Sequence, residues 1–360
     1  MITHKCNLNC AYCYETHKSD KQMPLELAKT LIEDEFDRVA HSEKFSDLLI
    51  DFIGGEPLLR FDMIKEVAEW VWSRTWPVGY MHFATTNGTL LDDKMKAWFE
   101  THRRQFCLSL SLDGSPETQE TNRRGSFARI DLEFFRRLWP EQQVKMTLSK
   151  ETLPTLASDV LYLHKAGFLV HFNPANGIDW NEEDASVYAV QMDILAGFYL
   201  EHPEIEPAGA FTPALTALLE RNPPPRKYCG TGNYMVTYDV DGTPYPCHLF
   251  TPIVMGDNRS EDLKRFDFSG SEDIVDPECE QCPVLRLCPT CYGFNYKYRG
   301  HIALRDKGYC KMFKLQLGAA SRFQLDRLMK KGGPHSRDEM LEAKSLVYVG
   351  DIFQSSAAAE

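Results

Sequence analysis

The chain has 360 residues, of which 43% are hydrophobic, and a formal net charge of −12. That is enough apolar material for a large core and for more than one small domain, while so acidic a balance excludes general binding to a nucleic-acid backbone. No run of about 18 apolar residues and no signal-peptide pattern occurs, so the chain reads as a soluble cytoplasmic protein without a membrane partner.

Residues 1–5 offer a short first strand. Leu25, Ala28, Ile32, Phe36 and Val39 then recur at helical spacing behind Pro24, a good first-turn residue. A strand over 47–53 follows, and Asp62 is placed to cap a helix through Ile64, Val67 and Val71. Strands are predicted at 80–86, 105–112, 144–149 and 168–173, with helices at 93–104, 131–139 and 153–166 between them. A longer helix spans 185–202 after Asp184. Such alternation points to an α/β fold with a parallel sheet and right-handed crossovers. About 200 residues suit a partial (β/α)6 barrel of the TIM type better than a closed barrel of about 250, and an open doubly wound sheet is the alternative.

Asn222-Pro223-Pro224-Pro225 marks a boundary. Beyond it glycine, proline and cysteine rise until about Cys310, then 314–330 reads as a helix. The tail from Lys331 is charged, and Ser355 to Glu360 is expected to be unfolded. The expected division is therefore 1–205 for the barrel, 206–225 for a linker, 226–313 for a cysteine-rich module and 314–360 for a helix and tail.

Eleven cysteines need a reason in a compartment where disulfides are disfavoured. They bunch toward the two ends, with only Cys107 between Cys13 and Cys229, and clustered thiols of this kind point to metal. Cys107 itself lies in a hydrophobic strand pattern and reads as a buried small apolar residue. Cys6, Cys10 and Cys13 can wrap one centre from a single loop. Three thiolates leave one corner of a four-iron cube open for a small chelating molecule. The competing reading is a zinc loop missing its fourth ligand.

Cys6-Asn7-Leu8-Asn9-Cys10-Ala11-Tyr12-Cys13 resembles the signature of the radical S-adenosylmethionine (radical SAM) superfamily, including the aromatic Tyr12 before the last cysteine. The resemblance implies a [4Fe-4S] cluster on these cysteines whose open iron chelates S-adenosylmethionine. Cleavage of the sulfonium then yields methionine and a 5′-deoxyadenosyl radical that abstracts hydrogen. Gly54-Gly55-Glu56-Pro57 follows a predicted strand and resembles the second motif of the family, which implies contact with the methionine amine of the cofactor. Thr85-Thr86-Asn87-Gly88 and Ser109 to Gly114 end the next two strands and resemble segments of the peptide- and sulfatase-modifying branch. Strand ends of a barrel face its active site, so Ser111 and Asp113 are candidate cofactor contacts, with Ser149 and Asn173 after them. For these four the alternative is a turn or cap role. Arg123 or Arg124 can pair with the methionine carboxylate or stay solvated.

Cys229, Cys247, Cys279, Cys282, Cys288, Cys291 and Cys310 follow the proline boundary. With Gly242 ahead of Cys247 and the run Cys279-x2-Cys282-x5-Cys288-x2-Cys291, this region resembles the SPASM domain of peptide maturases, although the last interval usually holds three residues. The resemblance implies two auxiliary [4Fe-4S] clusters, for three in all. Cys279, Cys282, Cys288 and Cys310 would hold one, and Cys229, Cys247 and Cys291 the other. A pair of zinc knuckles is the alternative. In sulfatase-maturing relatives a further cysteine completes the first auxiliary cluster and an aspartate after the second cysteine acts as base. Here residues 230–246 contain no cysteine and His248 stands at that place, as a candidate proton acceptor or a surface histidine without a role.

The function so implied is a radical SAM peptide maturase. It takes hydrogen from a side chain of a ribosomal precursor peptide and leaves a cross-link or an oxidised residue. The implied partners are that peptide, a flavodoxin- or ferredoxin-type reductant and a separate leader-recognition protein, since only five residues precede Cys6. An anaerobic sulfatase-maturating enzyme, a radical enzyme acting on a small molecule and a non-catalytic iron–sulfur electron carrier are the alternatives.

Overall fold

In a computed structural model of the protein, residues 1–219, 227, 229–256, 263, 266–268 and 274–357 are described, with side chains to Phe353. The proline-rich boundary at Asn222 to Pro225 lies outside the described residues. Along the chain run α1 (Leu25–Ala40), β1 (Asp47–Phe52), α2 (Phe61–Trp72), β2 (Gly79–Thr86), α3 (Asp93–His102), β3 (Phe106–Leu110), α4 (Pro116–Asn122) and α5 (Leu132–Leu138). They continue with β4 (Val144–Leu148), α6 (Leu156–Lys165), β5 (Val170–Pro174), α7 (Glu182–Glu201), β6 (Thr237–Tyr238) and β7 (Pro244–Tyr245). The last helices are α8 (Pro252–Met255), α9 (Tyr292–Arg299), α10 (Lys307–Lys330) and α11 (Arg337–Ala357).

The five strands predicted between 47 and 173 form where their alternation placed them. Several expectations change. Residues 1–5 contribute isolated bridges from Thr3 to Gln22 and Gly54 rather than a strand of their own. Pro24 is the N-cap of α1, one residue outside the helix. Asp62 does not cap α2; Arg60 stands at the cap and Asp62 lies in the first turn, where its charge favours the helix N-terminus. Helix α7 starts at Glu182, two residues before Asp184, because Asn181 and Asp184 close a reciprocal capping box. The tail is not unfolded from Ser355: α11 runs to Ala357. Its inner face is the reason, since Leu346 and Val349 are buried with Leu215, Val284 and Leu317.

The chain divides into two compact units. The first takes Met1–Leu112, Gln119–Lys145 and Gly232–Lys264. Its sheet has the order β1-β2-β3, all parallel, with Asp47 opposite Gly79 and His82 opposite Phe106. Alternate residues Ile50, Phe52, Ala84 and Leu108 are buried, together with Ile64, Val67 and Val71 of α2 and Phe99 of α3. The second unit takes Asp113–Thr118, Met146–Thr231 and Arg265–Glu360. Within it α10 lies between α7 and α11, tied by Tyr188 Oη to Gln316 (3.1 Å) and by Ser321 Oγ to the Leu346 carbonyl (2.6 Å). No described helix is long and apolar enough to cross a membrane.

Candidate functional site

The loop from Cys6 to Cys13 is built against the turn that follows β1. Ile2, Gly55 and Glu56 take part in backbone bonds that lock the two segments: Ile2 N–H to Ile53 O (2.8 Å), Gly55 N–H to Thr3 O (3.1 Å) and Glu56 N–H to Lys5 O (2.9 Å). The approach is so close that a side chain at Gly54 would meet the Thr3 carbonyl at 2.4 Å. One at Gly55 would meet the Lys5 carbonyl at 2.4 Å and the Cys6 Cβ at 2.9 Å. These glycines therefore hold the cysteine loop in place. Pro57 opens the short turn Pro57–Arg60, capped by Glu56.

Glu56 is buried and organises the polar floor. Its Oε1 accepts from Leu58 N–H (3.0 Å) and Thr86 Oγ1 (2.7 Å), and its Oε2 accepts from Asn87 N–H (2.8 Å). Burial pushes its carboxyl up from the usual range, against these three bonds. A carboxylate accepts about four bonds, so one acceptor position is left for a cationic ligand. Asn87 Nδ2 donates to Asn7 Oδ1 (2.9 Å), and Asn7 Nδ2 donates to Thr89 Oγ1 (2.8 Å). This bridge from β2 to the cysteine loop was missed in the sequence; its only signal was an amide inside the cysteine motif.

The three thiols are half-buried. Leu8 N–H points at Cys6 Sγ (3.5 Å), and burial pushes the Cys6 thiol up to about 11. The Ala11 N–H donates to the Asn122 carbonyl (2.8 Å). Arg123, from the next residue, is buried and stacks its guanidinium over the Tyr12 ring at 5.3 Å, so it is not a solvated charge, whereas Arg124 is exposed. Among the described residues no three His, Cys, Asp or Glu groups converge closely enough to hold a single metal ion. Thiolates around a four-iron cube stand further apart than ligands of one ion, and the partly open thiols beside an amide donor fit that larger group.

The remaining candidates fall in both units. In the first, Ser111 donates its N–H to the Thr86 carbonyl (2.9 Å) and bridges to Lys145. His248 is half-buried beside Tyr14, ring centroids 6.0 Å apart, and burial holds its imidazole down at about 4, below the near-neutral range expected from its type. Cys247 is buried. Cys107 is half-buried rather than fully buried, and its thiol donates to Gln142 Oε1 (3.2 Å).

In the second unit, Asp113 Oδ1 accepts from Thr147 N–H (3.0 Å). The next residue, Gly114, has φ +138°, and a side chain there would strike Asp159 at 2.6 Å. Asp159 in turn accepts from Ser115 N–H (2.9 Å) and Thr118 Oγ1 (2.7 Å). Ser149 pairs with Thr152 in a turn, through Ser149 N–H to Thr152 Oγ1 (3.1 Å). Asn173 is exposed on β5.

The second unit also brings Cys279, Cys282, Cys288 and Cys310 together. Backbone bonds from Cys282 to Cys279 (3.0 Å), Leu285 to Cys282 (3.1 Å) and Cys288 to Leu285 (3.2 Å) coil the segment on itself. Cys310 follows in the first turn of α10. Burial raises the Cys288 thiol to about 11, and the nearby Cys310 and Cys279 thiols add to it. Cys310 is likewise raised by burial and by Cys282 and Cys279. Cys229 Sγ lies 3.1 Å from Thr231 Oγ1, and Cys291 is the N-cap of α9.

Residues 1–136 match the Radical SAM superfamily. The chain carries a radical SAM domain. An uncharacterized protein of Methanocaldococcus jannaschii is 33% identical over 113 residues, which cover 31% of this chain and 37% of that protein. The chain therefore spans little more than a third of that relative. The radical SAM cyclopropyl synthase TigE of Paramaledivibacter caminithermalis is 21% identical over 88% of this chain and 71% of its own length.

Among solved structures, anSMEcpe with bound AdoMet and a Kp18Cys peptide superposes with a TM-score of 0.66 at 18% identity, over 90% of this chain and 97% of that one. SuiB of Streptococcus suis bound to S-adenosylmethionine gives 0.55 at 14% identity, over 85% and 73%. The radical SAM domain thus lies in an α/β chain whose fold is shared with both of these structures.

Proposed function

We propose that this chain is a radical SAM peptide maturase acting on a ribosomal precursor peptide, and that it leaves a cross-link or an oxidised residue. The observation that carries the reading is the buried strut at the cysteine loop. Gly54, Gly55, Glu56, Asn87 and Asn7 fix Cys6, Cys10 and Cys13 while one acceptor position of Glu56 remains open. The peptides carried by anSMEcpe and, for SuiB, the precursor peptide SuiA support a peptide substrate.

In this reading Cys6, Cys10 and Cys13 hold a [4Fe-4S] cluster. Glu56 receives the ammonium of S-adenosylmethionine, and Arg123 with Tyr12 walls the loop beside it. When bound, the cluster and S-adenosylmethionine supply the radical that takes hydrogen from the substrate. Ser111 and Asp113 lie at or just beyond the end of β3, and Ser149 and Asn173 at the ends of β4 and β5; their proposed contacts are with the cofactor. His248 accepts the proton released by the oxidised substrate.

Residues 1–205 would then form a partial barrel, and 226–313 a SPASM module with Cys279, Cys282, Cys288 and Cys310 on one auxiliary cluster and Cys229, Cys247 and Cys291 on the other. A flavodoxin- or ferredoxin-type reductant and a separate leader-recognition protein complete the proposed partners. His248 at the place of the usual aspartate favours this reading over a sulfatase-maturating enzyme.

Reduced, iron-reconstituted protein incubated with S-adenosylmethionine tests the reading. It is expected to form 5′-deoxyadenosine, and the Cys10→Ala variant is expected to form none. Absence of 5′-deoxyadenosine from the intact protein ends the catalytic reading.

A further inference from the structure

Arg305 is buried in the second unit, with 5% of its surface exposed. Its Nη1 donates to the Ala303 carbonyl (2.8 Å) and its Nη2 to the Ile274 carbonyl (3.0 Å). Neither acceptor is charged, and a cation taken out of water without an anion is costly. Asp276 does not fill that role. Its carboxylate accepts the Arg305 backbone N–H (2.9 Å) and the Glu278 N–H (3.0 Å) and lies 3.8 Å from Lys307, but it makes no ion pair with the guanidinium. The guanidinium faces the ring of Tyr292 at 5.7 Å, and Tyr292 is itself almost fully buried. Among the described residues no hydrogen bond of proper geometry reaches Arg305 Nε or Tyr292 Oη. A guanidinium N–H and a neighbouring phenol O–H are thus left in the interior without an acceptor.

The surroundings of Arg305 are cysteines. Asp276 ties it to their coil, because the carbonyl of the same aspartate accepts the Cys279 N–H (2.8 Å). Arg305 also lies in the residues leading into α10, whose first turn carries Cys310. Its charge opposes the rise that burial imposes on the Cys288 thiol and, with Lys307, the rise that burial and Asp276 impose on Cys279. Neutral thiols give a guanidinium nothing to pair with. Four thiolates around a four-iron cube carry net negative charge and offer sulfur acceptors. A single ion fits less well, since no three ligand groups converge on one point among the described residues. We propose that Arg305 is the counter-charge of a cluster on Cys279, Cys282, Cys288 and Cys310, that it donates a hydrogen bond to a sulfur of that cluster, and that it raises the reduction potential. Tyr292 is the platform that holds the guanidinium. Reduction adds an electron to a centre that is already anionic, so a buried cation beside it favours the reduced form. The inference rests on the reading of this region as an auxiliary-cluster module and names the residue that tunes one of its clusters.

Redox titration followed by electron paramagnetic resonance, on the iron-reconstituted full chain, tests the proposal. The transition lost in Cys310→Ala identifies the cluster. In Arg305→Met the ratio of reduced to oxidised cluster at a fixed potential is expected to fall at least about tenfold, which is about 59 mV for one electron. Arg305→Lys keeps the charge and is expected to stay within about threefold of wild type, both variants showing unchanged circular dichroism. An unchanged midpoint in Arg305→Met overturns the proposal. So does an equal fall in both variants, because lost packing alone would give that. Should Arg305→Met fail to fold, the unaltered chain labelled with ¹⁵N-arginine decides: a nitrogen coupling is expected on the Cys310-dependent signal, and its absence overturns the proposal. A chain that binds no cluster at these four cysteines overturns it too. Formation of 5′-deoxyadenosine with an unmoved midpoint would refute the role of Arg305 and keep the enzyme; a moved midpoint without 5′-deoxyadenosine would do the reverse.

Discussion

Gly55 has no room for a side chain, and what it would strike is backbone. A Cβ there sits 2.4 Å from the Lys5 carbonyl oxygen and 2.9 Å from the Cys6 Cβ, atoms that can move only by shifting the cysteine loop. Gly55→Ala is therefore expected to cost about 1–3 kcal/mol of stability and to reduce iron loading at the N-terminal cysteines. Iron analysis and electron paramagnetic resonance of anaerobically reconstituted protein check this, and wild-type loading would show that the loop is not held by this contact.

His82 carries a pH dependence of another kind. It is fully buried among Phe52, Trp72, Tyr80 and Phe106, and neither ring nitrogen has a hydrogen-bond partner. Burial holds it at about 4, against about 6.5 for a solvated histidine. The unfolded chain thus binds the proton first as pH falls. Stability is complete above about 6.5, declines between about 6.5 and 4, and over that window loses on the order of 3 kcal/mol. His82→Phe keeps the ring packing and removes the titrating group. It should flatten this part of the pH–stability curve and raise stability at pH 7 by about 1 kcal/mol. An unchanged acid slope in urea melts would assign the acid loss to other groups.

Among the elements, α11 shows most clearly how packing overrides composition. Its sequence is charged and rich in small residues, and an unfolded end was expected. Spaced three apart, Leu346 and Val349 are both fully buried against Leu317 of α10, Leu215 and Val284. Cys282 and Leu287 pack on the same cluster, so α11 helps to set the coil that carries the cysteines. Leu346→Ala should cost about 2–5 kcal/mol and expose α11 to exchange before the rest of the second unit. A melting temperature equal to that of wild type would mean that the helix contributes little. The strands between 47 and 173 were easier to foresee, because alternation over five to eight residues is a local property. Helix starts were harder: a cap is chosen by which side chain reaches a free N–H, as Asn181 does three residues ahead of the position expected.

In the molecule as a whole, cysteine spacing already announced metal chemistry, because ligands on one short loop must be close in sequence to share one centre. The resemblance to the SPASM domain is what grouped Cys279, Cys282, Cys288 and Cys310, and the fold leaves Cys288 and Cys310 within electrostatic reach of Cys279. Alternation was equally sufficient for an α/β chain, since the period of a strand or helix is written in consecutive residues. What lay beyond such reading was every contact between residues distant along the chain. Asn7 with Asn87, Arg123 over Tyr12, and the bonds from Thr86 and Asn87 to the buried Glu56 all depend on how elements cross. Hydrogen bonds and close approaches act over a few ångströms in space, and only the folded chain says which residues are within that range.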